Sequence, residues 1–537
     1  MVNKKLDLSL LNKNQYEAVT TIDGSIQLCS VAGSGKTRVL TYRTAYMIKK
    51  LNINPSKIFV STFTKKAATE MTKRLEKLLT KKEIKELTIG TFHSIGYHIL
   101  KDYYRSINSP MKNFQLLSGA PIKWMMSKIL KDLNIEISDT YNEETFIGAI
   151  NKLKMQLISP EQYVMNVLTG DASKHERNVL NVYDEYEKRK ENERKIDFND
   201  MLYKVYFLFL TNEEILNKYQ NKFEYLLIDE AQDNNKAQYE LIKMLAKPHN
   251  NVFIVGDDDQ SIYGFRGAQP SEFINFKENF SSTQRIDLDL NYRSLPYILE
   301  AANKVIKHND ERVVKELKPF RKQQENKKAQ YIKFENEDFE AKYVAEKIAE
   351  MEKENKNLND ISILYRTNAQ ARALEDHLVL NGIPYQIFNG ISFYERSEIK
   401  DVISYLKLII NHNDNESFER IINKPSRYLG RKFLSTLNYI ADQRGICLYE
   451  ALDYINKVNY GQRKNIKQFK KDIEFLKNRI NANDIDNVGD ALGVIVSMIK
   501  YDKYLIEQNG NEEDNNKLEN VRSLISAGQR YKKHEDF

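Results

Sequence analysis

The stretch Ser30-Val31-Ala32-Gly33-Ser34-Gly35-Lys36-Thr37 has the residue types needed to hold a nucleoside triphosphate. Gly33 and Gly35 let backbone N–H groups close around phosphate oxygens at the positive end of a following helix. Lys36 can reach the β- and γ-phosphates, and Thr37 can offer its hydroxyl to a magnesium ion. Ser30 stands six residues before the lysine, where this pattern usually has glycine. Downstream, the apolar run 223–228 ends in Asp229-Glu230. Asp229 suits a magnesium ion, directly or through water. Glu230 suits the orientation and deprotonation of an attacking water. Gln260 follows a second apolar run, 251–255, where its amide could sense the γ-phosphate. Tyr263, Phe265 and Arg266 interleave rings with a guanidinium, as a platform for single-stranded bases would. Tyr292 could stack on adenine, and Arg293 could meet the γ-phosphate from a second lobe. The Gln15 amide could read an adenine edge or lie on a helix surface.

These residues need strands to position them. The run 25–29 reads as a strand leading into the glycine-rich turn, and the apolar residues after Thr37 recur at helical spacing. The runs 57–63 and 87–94 are further strand candidates, each followed by a helix. Such alternation predicts a parallel α/β sheet, and ligands of such sheets gather at the carboxyl ends of strands. Phe63 and Phe92-His93 fall at those ends, as base-stacking or core aromatics. From about 101 to 195 strand signals fade and a helical insertion is expected, with Trp124-Met125-Met126 in its core. A helix resumes at 196–202. Asp197 and Asp200 could share a metal, but a helix cap at Asp197 is the preferred reading.

Composition sets outer bounds. At 537 residues, with 41% hydrophobic residues, the chain can form three or four packed domains. A net charge of +7 suits a polyanionic partner. The two cysteines, Cys29 and Cys447, have no metal-ligand spacing and fit a reduced cytosolic compartment. No signal peptide or membrane-length apolar run is expected.

Taken in order, the motifs resemble those of the UvrD/Rep/PcrA-type superfamily 1 DNA helicases. They run from Gln15 through the Lys36 loop, Thr62-Phe63-Thr64, Gly90-Thr91-Phe92-His93-Ser94, Asp229 to Asp233, Gln260 to Ala268 and Asn291-Tyr292-Arg293-Ser294. The segments 364–370 and 393–401 are also similar. The resemblance implies two RecA-like lobes of the P-loop NTPase class with ATP between them, each with a mainly helical insertion. It further implies movement 3′ to 5′ along single-stranded DNA, action at single/double-strand junctions, and ATP and Mg²⁺ as cofactors. On this reading Gln15, Tyr292, Arg293 and the loop residues Ala32, Gly33, Ser34, Gly35, Lys36, Thr37 and Arg38 contact the nucleotide. Thr37 and Asp229 hold the metal. Lys36, Glu230, Gln260 and Arg293 carry the catalysis. Phe63, Thr91, His93, Tyr263, Phe265 and Arg266 contact DNA. The expected divisions are 1–104, first lobe; 105–195, its insertion; 196–285, first lobe continued; 286–400, second lobe; and 401–537, the second insertion. Lys65 and Phe265 replace the usual Asn and Trp, which predicts a weaker DNA grip. No membrane contact is implied. The expected location is the cytoplasm at the nucleoid, or the host cytoplasm for a phage-encoded chain.

The family's later His-x-x-Lys-Gly-x-Glu and Thr-Arg-Ala motifs do not occur: His377, His412 and His534 lack the following Lys-Gly. The second of these supplies an arginine to the γ-phosphate, and such arginines contribute about 10³ to 10⁵ in rate. The second lobe is therefore expected to be incomplete, with an uncovered sheet edge, and a second polypeptide is expected to complete it. The competing expectation is a nucleotide-gated single-strand binding protein that does not unwind. A helicase–nuclease subunit is not favoured, because no carboxylate–lysine cluster follows Asp401.

Overall fold

Alternating β-branched and aromatic strands with amphipathic helices build a parallel sheet covered on both faces. In a computed structural model the described residues are 6–138, 141–168, 172–280, 282–310, 312–322, 328–367, 370–388, 393–456, 458–481, 485, 487–509, 512–529 and 531. The chain forms two compact units, Met1–Gln330 and Tyr331–Phe537.

Ten strands lie in the first unit: β1 (Ile26–Ser30), β2 (Ile58–Ser61), β3 (Thr88–Gly90), β4 (Gln115–Leu116), β5 (Lys195–Ile196), β6 (Tyr225–Ile228), β7 (Val252–Gly256), β8 (Gln284–Leu288), β9 (Leu290–Asn291) and β10 (Lys318–Pro319). Six of them form one sheet in the order β3-β2-β6-β7-β1-β8, and its neighbours all pair in parallel. β4 pairs with β5, and β9 with β10.

The period of two along each strand divides the core into two layers. Phe59, Leu226, Ile228, Val252 and Ile254 pack on one face with the helices Phe92–Ser106, Asp200–Thr211 and Lys236–Ala246. Ile58, Val60, Leu227, Phe253 and Val255 pack on the other with Lys13–Thr20, Lys36–Lys49 and Lys65–Leu75. The main sheet takes in β8, so it runs to Leu288, past the division drawn at 285.

The insertion is helical as expected, with Met125, Met126, Ile129, Phe146, Ile150 and Val182 in its core. Trp124 is a correction. Its side chain is 59% exposed, and Lys128 Nζ lies 3.6 Å from the ring centroid. Along the helix Ala120–Asp132, Met125 and Met126 take the buried face, which turns the preceding residue outward.

Among the second unit's described residues the only regular structure is helical, and no strand forms there. A small cluster of Ala345, Ile348, Leu378 and Ile383 joins the helices Glu337–Lys353 and Ala371–Leu380. Tyr331 and Leu364 are 91% exposed. Asn368 and Ala369 of the 364–370 motif lie outside the described residues. From Ser397 onward, helices including Ser397–Ile410, Tyr460–Asn481 and Val488–Met498 share a large core built on Val402, Leu408, Phe469, Leu492 and Ile495.

Candidate nucleotide site and nucleic-acid interface

The site forms where β1, β2, β6 and β7 end. β1 hands the chain to the glycine-rich turn, and the helix Lys36–Lys49 begins directly after it. Ser30, at the usual glycine position, is buried and donates its hydroxyl to Gly256 O at 2.8 Å. It is tolerated because the neighbouring strand supplies an acceptor. Gly33 has φ +68, and a Cβ there would lie 2.8 Å from Asn291 Nδ2 and 2.9 Å from Arg293 Cβ. Gly35 has φ +92, and a Cβ there would lie 2.9 Å from Gln15 Nε2. Both positions need glycine for backbone conformation and for space.

Gln15 is buried. Its Oε1 accepts from Asn12 N at 3.2 Å, capping its own helix, and its Nε2 donates to Ser34 O at 2.9 Å. It is not a surface glutamine: it holds the loop, and its second Nε2 N–H has no partner among the described residues. Tyr292 N donates to Gly33 O at 3.0 Å, and its hydroxyl accepts from Asn12 Nδ2 at 2.7 Å. Asn291 stands in the motif 291–294, but sequence reasoning assigns it no role of its own. Its amide donates to Ala32 O at 2.6 Å, and its Oδ1 accepts from Arg293 N and Ser294 N. Gly33, Ser34, Gly35, Lys36, Thr37, Arg38, Gln15, Glu230, Gln260, Tyr292 and Arg293 thus line one cavity of about 490 Å³, together with Arg74. Ala32 lines a neighbouring cavity instead. Arg74 sits on the helix after β2 and pairs with Glu70. No local motif marks it, and only the sheet order brings it here.

Lys36 Nζ lies 2.8 Å from Glu230 Oε2. Glu230 has φ +49, and Gln232 Nε2 donates to it at 3.0 Å. Gln232 Oε1 in turn accepts from Asp257 N at 3.0 Å, which joins the ends of β6 and β7. Gln260 Nε2 donates to Asp257 Oδ2 at 2.5 Å. Asp229 is buried, and burial together with the adjacent Glu230 charge pushes its pKa up to about 7. A buried carboxylate so placed is stabilised by a cation. The Ser34 hydroxyl and Asp233 Oδ1 are buried without hydrogen-bond partners among the described residues. Hard oxygen donors and unspent polar atoms of this kind fit magnesium better than a soft metal.

Beside this cavity the expected DNA-contacting aromatics form a group. Phe63 and Tyr263 have ring centroids 4.6 Å apart, and Tyr263 and Phe265 are 6.0 Å apart. Arg266 lies 5.0 Å from the Tyr263 ring, and Phe265 is 78% exposed. His93 stacks on Phe198 at 3.9 Å, and burial lowers its pKa to about 4. Phe198 was not singled out by sequence, although its 56% exposure marks it as open. Phe92 belongs to the core. Thr91 caps the helix Phe92–Ser106 through its hydroxyl, which accepts from Ser94 N.

Asp197 and Asp200 form neither a simple cap nor a metal site. Each side chain accepts the other's backbone N–H. Together with Glu187 they surround Lys154 and Lys190, whose ammonium groups lie 2.5–2.7 Å from the carboxylates. The two ammonium groups take the place a cation would fill.

A glycine-rich loop followed by Lys-Thr, with paired acids at the end of another parallel strand of the same sheet, defines a P-loop nucleotide-hydrolase site. The sequence pattern described as the UvrD/REP helicase N-terminal domain matches residues 11–281, and that of the UvrD-like helicase C-terminal domain matches 286–536. The chain belongs to the UvrD/Rep helicase family. It is 36% identical over 529 residues to the ATP-dependent DNA helicase PcrA of Staphylococcus epidermidis, covering 98% of this chain and 70% of that protein. Against the PcrA of Leuconostoc citreum identity is 34% over 519 residues, covering 96% and 68%. Against that of Staphylococcus aureus it is 35% over 532 residues, covering 98% and 71%. The C-terminal domain is represented, so the expectation of a second polypeptide to complete the chain finds no support.

Proposed function

We propose that this helicase hydrolyses ATP in the cavity of its first unit, moves 3′ to 5′ along single-stranded DNA and unwinds duplex at junctions. One observation carries the reading: Lys36, Glu230, Gln260, Tyr292 and Arg293, distant in sequence, line a single cavity. Lys36 binds the β- and γ-phosphates at the N-terminus of its helix. A phosphate competes with Glu230 for that ammonium, which frees the carboxylate to take a proton from the attacking water. Thr37 and Asp229 would hold Mg²⁺, which when bound neutralises charge on the phosphate oxygens. Arg293 stabilises charge on the transferred group, and Tyr292 and Gln15 border the base. Ala32 and Arg38 complete the loop's contacts. Phe63, His93, Tyr263, Phe265 and Arg266 stack on or pair with the strand, and Thr91 acts by fixing the helix that carries His93. The division into two lobes and two insertions is kept as the working layout. The cytoplasm is the proposed location. No helix among the described residues is long and apolar enough to cross a membrane.

The test is strand separation on duplexes with either a 3′ or a 5′ single-stranded tail. ATP-driven separation with the 3′ tail is expected. Nucleotide-dependent binding without turnover would replace this reading with a gated binding protein.

A further inference from the structure

We infer that Arg312 and Lys315 are positioning residues that tie the turn bearing Gln260 to the segment bearing Tyr292 and Arg293, so that the nucleotide cavity governs the grip on single-stranded DNA. The inference rests on the helicase reading above.

The turn after β7 carries three successive acids, Asp257, Asp258 and Asp259, the first two almost wholly buried. Buried carboxylates persist only when paired, and among the described residues their cationic partners come from the strap 312–321. Lys315 Nζ lies 2.9 Å from Asp257 Oδ1 and 3.5 Å from Asp259 Oδ2, and it also donates to Asp258. Arg312 grips Asp259 with both arms, Nε to Oδ1 at 2.8 Å and an η nitrogen to Oδ2 at 2.7 Å. Val313 N donates to Asp258 Oδ2 at 2.7 Å. A bidentate guanidinium fixes geometry as well as charge.

The other end of the strap reaches the nucleotide cavity's far wall. Lys318 and Pro319 pair in parallel with Leu290 and Asn291. The Phe320 ring lies 4.7 Å from that of Tyr292, and Arg321 Nε donates to Tyr292 O at 3.1 Å. Between the strap and the phosphate loop lies a mainly apolar cavity of about 440 Å³, walled by Val31, Ala32, Ala301, Ala302 and Val305, with Asp257, Asp259, Gln260 and Lys315 as its polar lining. Its apolar walls give little directional support, so on this side of the strap the ion pairs to Asp257, Asp258 and Asp259 supply the directional contacts. Asp257, which Lys315 holds, is also the acceptor for Gln260. Tyr263, Phe265 and Arg266 follow within six residues of Gln260. A shift of Tyr292 and Arg293 on nucleotide binding therefore reaches the stacking aromatics through the strap. Neither Arg312 nor Lys315 lines the nucleotide cavity.

The test uses the full chain and the variants Arg312→Met and Lys315→Met. ATP hydrolysis is measured with and without single-stranded oligothymidylate. DNA affinity is measured with and without a non-hydrolysable ATP analogue. Nucleotide affinity, DNA-free hydrolysis and the DNA affinity measured without nucleotide should stay within about twofold of the parent. The DNA-stimulated kcat should fall at least about fivefold, with a matching loss of the nucleotide-dependent change in DNA affinity. The charge swap Arg312→Asp with Asp259→Arg should recover stimulation relative to Arg312→Asp alone. Undiminished stimulation in both single variants would overturn the inference. So would a parallel fall of nucleotide affinity and DNA-free hydrolysis, the mark of a merely structural role. If the parent chain itself shows no stimulation by DNA, the helicase reading fails first.

Discussion

Lys36 and Glu230 share one contact but have separable roles. Lys36→Ala removes the positive charge from a loop whose other donors are backbone N–H groups, so ATP turnover should be lost, as measured by phosphate release. Glu230→Gln keeps size and hydrogen bonding while removing the base. A fluorescent nucleotide should bind with unchanged or higher affinity, because Lys36 loses a competing carboxylate. Hydrolysis should fall by about 10² or more, within the range for general-base loss. Loss of binding in that variant would assign Glu230 a structural role instead. Cys29 gives a simpler residue-scale check. It is buried in β1 and its thiol is pushed up to about 12, chiefly by burial. Since the thiolate is the reactive form, Cys29 should resist alkylation at pH 8 in the folded protein and react once it is denatured.

Elements explain what was legible in the sequence and what was not. Strand ends were readable because a buried parallel strand is a short continuous apolar run, and the functional residues follow it immediately: Asp229 after β6 and Gln260 just beyond β7. Contacts that depend on strand order were not readable. Arg74 enters the cavity only through the order β3-β2-β6-β7-β1-β8, and Asn291 reaches Ala32 O only through the turn after β8. Trp124 misled because its neighbours are core residues while helical rotation turns it outward. Asp197 and Asp200 read as a local pair, yet their partners Lys154 and Lys190 lie on helices of the insertion. That network makes a prediction at this scale. Burial alone would lower the Lys154 pKa, but the carboxylates of Asp197, Asp200 and Glu187 outweigh it and hold the ammonium well above its usual range. Its stabilising effect is therefore complete below the unfolded pKa of about 10.4 and is lost as pH rises from there through the folded value. Asp197 is shifted downward despite its burial, by Lys154 and Lys190. Its contribution is present above about pH 3.9 and is lost as pH falls toward the folded value. Lys154→Met leaves buried carboxylates short of a partner and should cost about 3–5 kcal/mol at neutral pH by denaturant unfolding. The stacking group follows the same logic. Tyr263→Ala removes the ring between Phe63 and Phe265 and should weaken single-strand binding by about 1–3 kcal/mol in an anisotropy titration.

At the scale of the whole molecule, the residues that line the nucleotide cavity all belong to the first unit, and the second unit has its own core from Ser397 onward. Ligand that binds only the folded form stabilises the unit that holds it, by about 2.7 kcal/mol at a hundredfold excess over Kd. For a unit of 330 residues, an unfolding entropy of about 2.1 cal/mol/K per residue makes that roughly 4 °C in Tm. Calorimetry with a non-hydrolysable ATP analogue and Mg²⁺ should therefore move one transition by about this amount and leave a second in place. Single-stranded oligothymidylate, added alone, should raise the same transition, since Phe63, His93, Tyr263 and Phe265 share that unit. Lys36→Ala should abolish the nucleotide shift and keep the DNA shift. Equal movement of both transitions, or a nucleotide shift that survives Lys36→Ala, would mean that the triphosphate binds elsewhere than the cavity bordered by Gly33, Lys36 and Arg293.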